Sequence, residues 1–592
     1  MAGRFSVLLF VFSAAGFSLW GAMAEENPQA IQKPGSSVPR EGTSIVELQP
    51  NRQTSAIPIQ GEGGAAGRAT LINLNPTING WYLLRLQWSG GQDVSYHLEN
   101  PEPRRQALAL DAAHPQGLIL TGRQGREVCE LWGKGRASPL QEEARSNAPY
   151  APLCGARLYL RNATTGHETN IERMTGLLRD KVPGGEGLVE VVRDTVYAHL
   201  YRERAAELPE SQPAAGGIPQ TLESGPEPAE LDARQAARLL KPPQLGIDIE
   251  GASPGGVWPG AWYAAQGNPG IFVSVLQLSA VAPGLLQSYP NFVSPLDRVE
   301  ATEVIYLVAF DLQALELHYR RGTDHPRVGW SDHLLERMKD PARPGPDGIG
   351  SIAPLIATGL IPPWEGERTV ASFTGGFKRT HGAFKYGALA LEHSGSHYGF
   401  LENGVVFSRL QPGLATLYAL DDGQVTMTTW TEADNALVPR LQYARQNGVP
   451  IITGFDPTAQ VSIPGALVAR WGEGNWSGSA DRKLQTMRAG VGLQERRGKR
   501  FLLYAFFWSA TPSAMARAFQ AYQCRYAMLL DMNALEHTYL ATYRRRGQDL
   551  VVQHLIHGMD GVDLTAKGQY LPRFLGYPDN RDFFNLVRKE RP

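Results

Sequence analysis

The chain reads as an α+β protein: a mixed β-sheet domain with a hairpin meander and a C-terminal strand-helix-strand crossover, preceded by a smaller β-rich domain. Three observations point there. Apolar runs of strand length recur through residues 246–592, glycine-containing turn pairs separate the middle ones, and one amphipathic helical pattern stands between the last two. The 592 residues exceed one ordinary core, so two or more domains are expected.

The N-terminus comes first. Residues 1–24 carry a lone cation at Arg4, a charge-free apolar stretch from Phe5 onward, and Ala22-Met23-Ala24 ahead of Glu25-Glu26. That is the pattern of a secretory signal peptide cleaved after Ala24, implying a periplasmic or secreted protein. The stretch is also long enough for an uncleaved anchor; no other segment could span a membrane. Residues 25–68 are rich in Pro, Gly, Ser and Gln and read as a disordered linker. Residues 206–245 repeat that composition, with one short helical candidate at Leu231–Leu240.

Between the linkers, residues 69–205 begin with strand signals. In WYLLRLQWSGG, Leu84, Leu86 and Trp88 alternate with Arg85 and Gln87, the period of a half-buried strand. LILTGRQGREVCELW suggests a hairpin around Arg-Gln-Gly. Trp81, Trp88 and Trp132 suit either a sugar-stacking platform or aromatic core positions. There are 3 cysteines. Cys129 and Cys154 are close enough to close a short loop, a disulfide worth about 3 kcal/mol; Cys524, among apolar helix positions, reads as an inert buried thiol.

The second unit, residues 246–592, opens with GIDIEGASPGG and the apolar stretches PGIFVSVLQLSAV and EVIYLVAFDLQALELHY. A meander follows, turning at Asn403-Gly404 and Asp422-Gly423, pairs that suit the positive φ angles of tight hairpins. RFLLYAFFW is apolar almost throughout, as a strand covered on both faces is. Thr511-Pro512 is a cap followed by proline at the first helical position, with Ala514, Met515, Ala518, Phe519 and Tyr522 on one helical face. YAMLLD then returns as a second apolar strand, ending on Asp531. Carboxyl ends of parallel strands gather at one sheet edge, so the polar run Asp531, Asn533, Glu536, His537 marks either a site or a strand-terminal turn.

Charge balance, 57 basic against 58 acidic residues, removes the field that would draw the chain onto nucleic acid. There is no G-x-S-x-G elbow and no Walker loop. Histidines group at His381, His393 and His397 and again at His554 and His557, but without a zinc frame, so no metal and no cofactor is expected. SFTGGFKRTHG places Gly375-Gly376 beside Lys378 and Arg379, a backbone able to approach an anion, although Gly-Gly turns are common. In MRAGVGLQ, Arg488 enters a small-residue strand and needs a carboxylate or phosphate partner.

In this order, the pieces resemble the phosphodiester glycosidase family, in particular an exported bacterial branch with a D-[IM]-N variant of the last motif. The resemblance runs from Val304 to Tyr543. LVAFDLQALEL with Asp311 is similar to the family's early strand ending in aspartate, and Ser372 to Lys378 resemble its A-x-N-G-G-F motif, with Thr374 in place of asparagine. Leu410 to Gly423 resemble its L-x-x-G-x-A-x-L…D-G hairpin, and Ala444-Arg445-Gln446-Asn447 through Ile451 to Asp456 its R-Q-N segment. Arg488 and Gly492 match R-[ST]-[AG]-x-G, and Leu530-Asp531-Met532-Asn533 its final motif, with Met532 and Asn533 replacing the usual glycines.

The resemblance implies a hydrolase that releases a sugar from a sugar-1-phosphodiester. It implies a carbohydrate or phosphoglycan substrate, with no nucleic acid and no membrane span after signal cleavage. Asp531 becomes the catalytic carboxylate, Glu536 the second carboxyl and Asn533 an orienting group, with His537 and Asp456 in reserve. Thr374, Gly375, Gly376, Lys378 and Arg488 become the substrate-binding set. A catalytically inactive glycan-binding envelope protein is the alternative, and a metal-dependent phosphodiesterase a third.

Overall fold

The computed structural model describes residues 44–590 apart from 61–63, 90, 92, 124, 134–137, 171, 175–210, 214–223, 325, 333, 383, 385–387, 390–397 and 471–484. The signal-peptide reading, His393, His397 and much of both expected linkers lie outside the described residues. No helix among the described residues is long and apolar enough to cross a membrane.

The N-terminal strands are β1 (Gln53–Gln60), β2 (Ala66–Asn73), β3 (Trp81–Trp88), β4 (Val94–Glu99), β5 (Ala107–Ala109), β6 (Gly117–Gly122), β7 (Gly125–Glu130), β8 (Tyr150–Leu153) and β9 (Leu158–Arg161). Six make a sheet in the order β1-β2-β3-β4-β9-β8, and β5-β6-β7 a smaller one. The expected hairpin is β6-β7. The linker expected at 25–68 is ordered at its end, because β1 pairs along the whole open edge of β2 and Ile45 and Val46 are buried. The expected linker at 206–245 is also anchored in part: the Leu240 N–H donates to the Val257 carbonyl at 2.8 Å.

Strand β3 is buried on both faces in its first half, so its alternation holds only near Trp88. Tyr82, Leu84 and Leu86 join Leu118 and Leu120, while Trp81 and Leu83 pack on Phe400, Val405 and Phe407. Trp81 and Trp132 are therefore core, and no stacking platform forms. The Arg161 guanidinium lies 3.8 Å over the Trp81 ring. Cys129 and Cys154 are bonded, with Cα atoms 5.7 Å apart; burial pushes the Cys524 thiol up.

Residues 246–592 contribute β10 (Tyr263–Ala264), β11 (Ile271–Gln277), β12 (Val304–Asp311), β13 (Leu315–Arg320), β14 (Thr369–Thr374), β15 (Phe400–Glu402), β16 (Val405–Ser408), β17 (Ala415–Leu420), β18 (Val425–Thr429), β19 (Leu441–Gln446), β20 (Ile452–Asp456) and β21 (Val461–Pro464). The last third adds β22 (Thr486–Arg496), β23 (Lys499–Ala510), helix α1 (Pro512–Ala521), β24 (Tyr526–Met532), β25 (Leu540–Arg546), β26 (Asp549–His554) and β27 (Phe583–Arg588). A central sheet runs β10-β11-β12-β23-β22-β24-β20-β21, a second β13-β27-β14-β25-β26, and a third β16-β15-β19-β17-β18. The main core fills the space between the first two, where Val308, Phe310, Tyr504 and Leu530 meet Phe373 and Phe584.

The crossover is present, but the mixed sheet is not. Strands β23 and β24 point the same way, yet β22 lies between them and pairs antiparallel with both. The named strands pair antiparallel throughout, because MRAGVGLQ returns through a hairpin at Arg497 (φ 50°) and Gly498 (φ 76°) and takes the slot a parallel neighbour would fill. Its glycines seat the helix: a Cβ on Gly490 would lie 2.7 Å from Met515 Cε. Helix α1 starts as its sequence indicates, with Thr511 Oγ1 accepting from the Ala514 N–H at 3.2 Å.

The second sheet carries a buried charge network. His318 Nδ1 lies 2.9 Å from Glu365 Oε1, Asn585 Nδ2 donates to Glu365 Oε2 at 3.0 Å, and Arg320 pairs with Glu365. Burial pushes the His318 imidazole down, but Glu365 beside it wins and lifts it to about 9. A base raised in the folded state contributes stability that is complete below its unfolded value, about 6.5, and is lost as pH rises through the folded one. The thermal midpoint should therefore fall between roughly pH 6.5 and 9, and fall less in His318→Gln.

Candidate functional site

The polar run after β24 does mark a meeting point, reached through a bulge. Gly490 of β22 pairs with Leu529 but Arg488 pairs with Met532, so β24 holds one extra residue. Asn447 fixes it, donating from Nδ2 to the Leu529 carbonyl at 2.7 Å and the Leu530 carbonyl at 2.6 Å. The bulge turns Asp531 to the face opposite Met532. Arg488 stays on the Met532 side, its Nη1 3.4 Å from Met532 Sδ and its Nε donating to the Ala510 carbonyl at 2.8 Å, fully buried. The expected pairing of Arg488 with Asp531 around one ligand is thus not made. In regular register the two would share a face; the inserted residue reverses it.

Arg581 takes that place. Its Nη1 donates to Asp531 Oδ2 at 2.7 Å, while Nη2 lies 2.7 Å from Glu172 Oε1 and 2.7 Å from His537 Nε2. The Met532 N–H also donates to Asp531 Oδ1 at 2.8 Å. His537 Nδ1 sits 2.8 Å from the Met532 carbonyl. With that carbonyl holding the proton on Nδ1, Nε2 accepts from Arg581, and Glu536 Oε1 lies 3.5 Å from the same nitrogen. Glu536 Oε2 accepts from Thr169 Oγ1 at 2.9 Å. Lys378 Nζ reaches Glu172 Oε1 at 3.0 Å and Asp324 Oδ2 at 3.7 Å.

Asp531, Glu172 and Glu536, the His537 imidazole and the cations Arg581 and Lys378 therefore share one nearly buried cluster, with the more exposed Asp324 at its edge. Burial lifts the Asp531 carboxyl above the ordinary aspartate range, against the pull of His537 and Arg581. Glu536 behaves oppositely: burial disfavours its charge, but the His537 hydrogen bond and the neighbouring cations outweigh it and hold it at about 2. Glu172 is likewise held low, Arg581 and Lys378 prevailing over burial.

The other predicted residues divide. Thr374, ending β14, donates from Oγ1 to the His537 carbonyl at 2.6 Å and so braces the cluster. The Gly375 N–H is taken by the Asp582 carbonyl at 2.9 Å and is not offered to an anion. The two glycines serve close packing instead. A Cβ on Gly375 would lie 2.6 Å from Asp582 Oδ2 and one on Gly376 2.7 Å from Asn447 Oδ1. Asp582 cannot yield, because Arg445 Nε and Tyr319 hold that oxygen at 2.7 and 3.1 Å. Gly375→Ala should lower stability by about 1–3 kcal/mol, read by denaturant unfolding.

Asn533 does not touch Asp531. It adopts φ 79° as a turn residue, and its Oδ1 accepts from Thr486 Oγ1 at 2.8 Å. Asp456 and Asp311 lie at the opposite end of the central sheet. Asp456 accepts the N–H groups of Thr458 and Ala459 at 2.8 and 3.0 Å, and Asp311 pairs with Lys499 at 3.6 Å. Arg581, Glu172 and Thr169 were absent from the sequence-derived set. Arg581 carries a signal that could have found it: PDNRD stands directly before the apolar FFNLV, the mirror image of the run after YAMLLD. Glu172 and Thr169 carry none.

No family model matches the chain, and no curated protein matches it. Among solved structures, it is similar to the catalytic domain of zebrafish N-acetylglucosamine-1-phosphodiester alpha-N-acetylglucosaminidase, at 10% identity and a TM-score of 0.27, over 62% of this chain and 96% of that one. It is similar also to a hypothetical protein from Synechocystis, at 10% identity and a TM-score of 0.27, over 86% of this chain and 97% of that one. At such scores neither likeness bears on the chemistry of the cluster.

Proposed function

We propose that this chain is an exported hydrolase that releases a sugar from a sugar-1-phosphodiester in envelope or extracellular glycans. The observation that carries the reading is the joining of Asp531, Glu536 and His537 through Arg581, with Lys378 beside them. Two carboxyls and two cations supply the parts such a substrate requires. Arg581 and Lys378 hold the phosphate, the role sequence reasoning gave to Arg488. Asp531 acts as the base for a water that attacks the anomeric carbon. The bond between that carbon and the bridging oxygen breaks, the oxygen leaves with the phosphate, and water supplies the new hydroxyl. Asp531 takes the proton that water loses, and Glu536 and His537 orient that water. A phosphate is a good leaving group, so it needs little acid assistance.

A second reading, a catalytically silent phosphoglycan-binding protein, is favoured by one observation: Asp531, Glu536 and Arg581 are each less than a tenth exposed. Incubation with a methyl-phospho-linked N-acetylhexosamine separates the two. Free sugar plus methyl phosphate is the expected product; tight binding without turnover would select the silent protein.

A further inference from the structure

Glu172 is a carboxylate that the proposed reaction does not use, yet it occupies the cationic half of the site. One oxygen, Oε1, lies 3.0 Å from Lys378 Nζ and 2.7 Å from Arg581 Nη2. An anionic oxygen shared between an ammonium and a guanidinium is the position a phosphate oxygen would take. Three residues earlier, Thr169 donates to Glu536 at 2.9 Å, on the carboxylate half. Thr169 Oγ1 also accepts from the Glu172 N–H at 3.1 Å, so the two contacts are locked together.

The same segment is tied down before it reaches the cluster. The Gly166 N–H donates to Thr323 Oγ1 at 3.0 Å, the His167 N–H to the Pro578 carbonyl at 2.8 Å, and the Asn580 N–H to the His167 carbonyl at 3.2 Å. A counter-ion required only for folding would be superfluous here. Asp531 already pairs with Arg581 at 2.7 Å, and Asp324 lies 3.7 Å from Lys378.

We propose that Glu172 is an internal ligand: Thr169 and Glu172, anchored through Gly166 and His167, strap the site, and an anionic group, a phosphate ester or free phosphate, binds Lys378 and Arg581 by displacing the Glu172 carboxylate. The identity of the physiological anion rests on the function proposed above; the exchange of Glu172 for an anion does not.

The test uses the full chain and inorganic phosphate, with binding measured by calorimetry. Glu172→Gln keeps the size of the side chain and removes its charge. It should tighten phosphate binding by about tenfold or more, since the competent site is no longer filled from within, and sugar release at low substrate should rise in parallel. Glu172→Asp, which withdraws the carboxylate by one methylene, should move phosphate affinity in the same direction and serves if the Gln variant does not fold. Unchanged phosphate affinity in both, with a lowered thermal midpoint, would make Glu172 a structural counter-ion and overturn the strap, whether or not the wild type releases sugar. Tighter phosphate binding without sugar release would uphold the strap and reject the hydrolase.

Discussion

Arg581→Ala should lower stability by about 3–5 kcal/mol, the cost of leaving buried charge without its partner, and should end sugar release. The magnitude follows from what the guanidinium holds. Among the described residues it alone joins Asp531, Glu172 and His537, each at 2.7 Å, with both carboxylates buried. Two carboxylates would stay buried with only Lys378, the Met532 N–H and His537 to compensate them. Arg581→Lys should recover part of the stability and little of the activity, because a point charge cannot serve three directions in one plane. Denaturant unfolding of both variants reads the effect. Wild-type stability in Arg581→Ala would mean that the cluster is wet and loosely held.

Asp531→Asn should reduce sugar release by at least about 100-fold, the lower end for loss of a positioned proton-transfer group, while leaving the thermal midpoint within a few degrees. Stability survives because the substitution is isosteric. The amide oxygen can turn to accept from Arg581 Nη1 in place of the Met532 N–H, Arg581 keeps Glu172, and burial already disfavours charge on Asp531. Steady-state kinetics beside a melting curve separates the two effects. Equal loss of both would assign Asp531 to folding.

How far these residues could be read from the chain depends on which physical rule governs each. Rules of local periodicity and capping served well. RFLLYAFFW, Thr511-Pro512 and the amphipathic face after it became β23 and α1, and Asn403-Gly404 became a turn with both residues at positive φ. Asp531, Glu536 and His537 stood together in a polar run that the sequence left open between a site and a strand-terminal turn, and Thr374 and Lys378 were singled out through the Gly375-Gly376 segment and the family resemblance. Arg488 misled because a bulge is a matter of register: nothing in MRAGVGLQ or YAMLLDM announces the extra residue that turns Asp531 to the other face. Glu172 and Thr169 were invisible for another reason. They reach the cluster across the whole of the intervening fold, and no local pattern encodes that return. The linker at 25–68 was misjudged at its end because pairing along an open edge supplies backbone hydrogen bonds that composition does not reveal.

The central claim is that the cluster cuts the bond between the anomeric carbon and the bridging oxygen. Hydrolysis in oxygen-18 water tests it in one experiment, with mass spectrometry of both products. The account predicts the label in the released sugar and none in the phosphomonoester, with both products lost in Asp531→Asn. Label in the phosphate would place the attack on phosphorus and contradict it, as would an absence of any product from the strap-released Glu172→Gln protein.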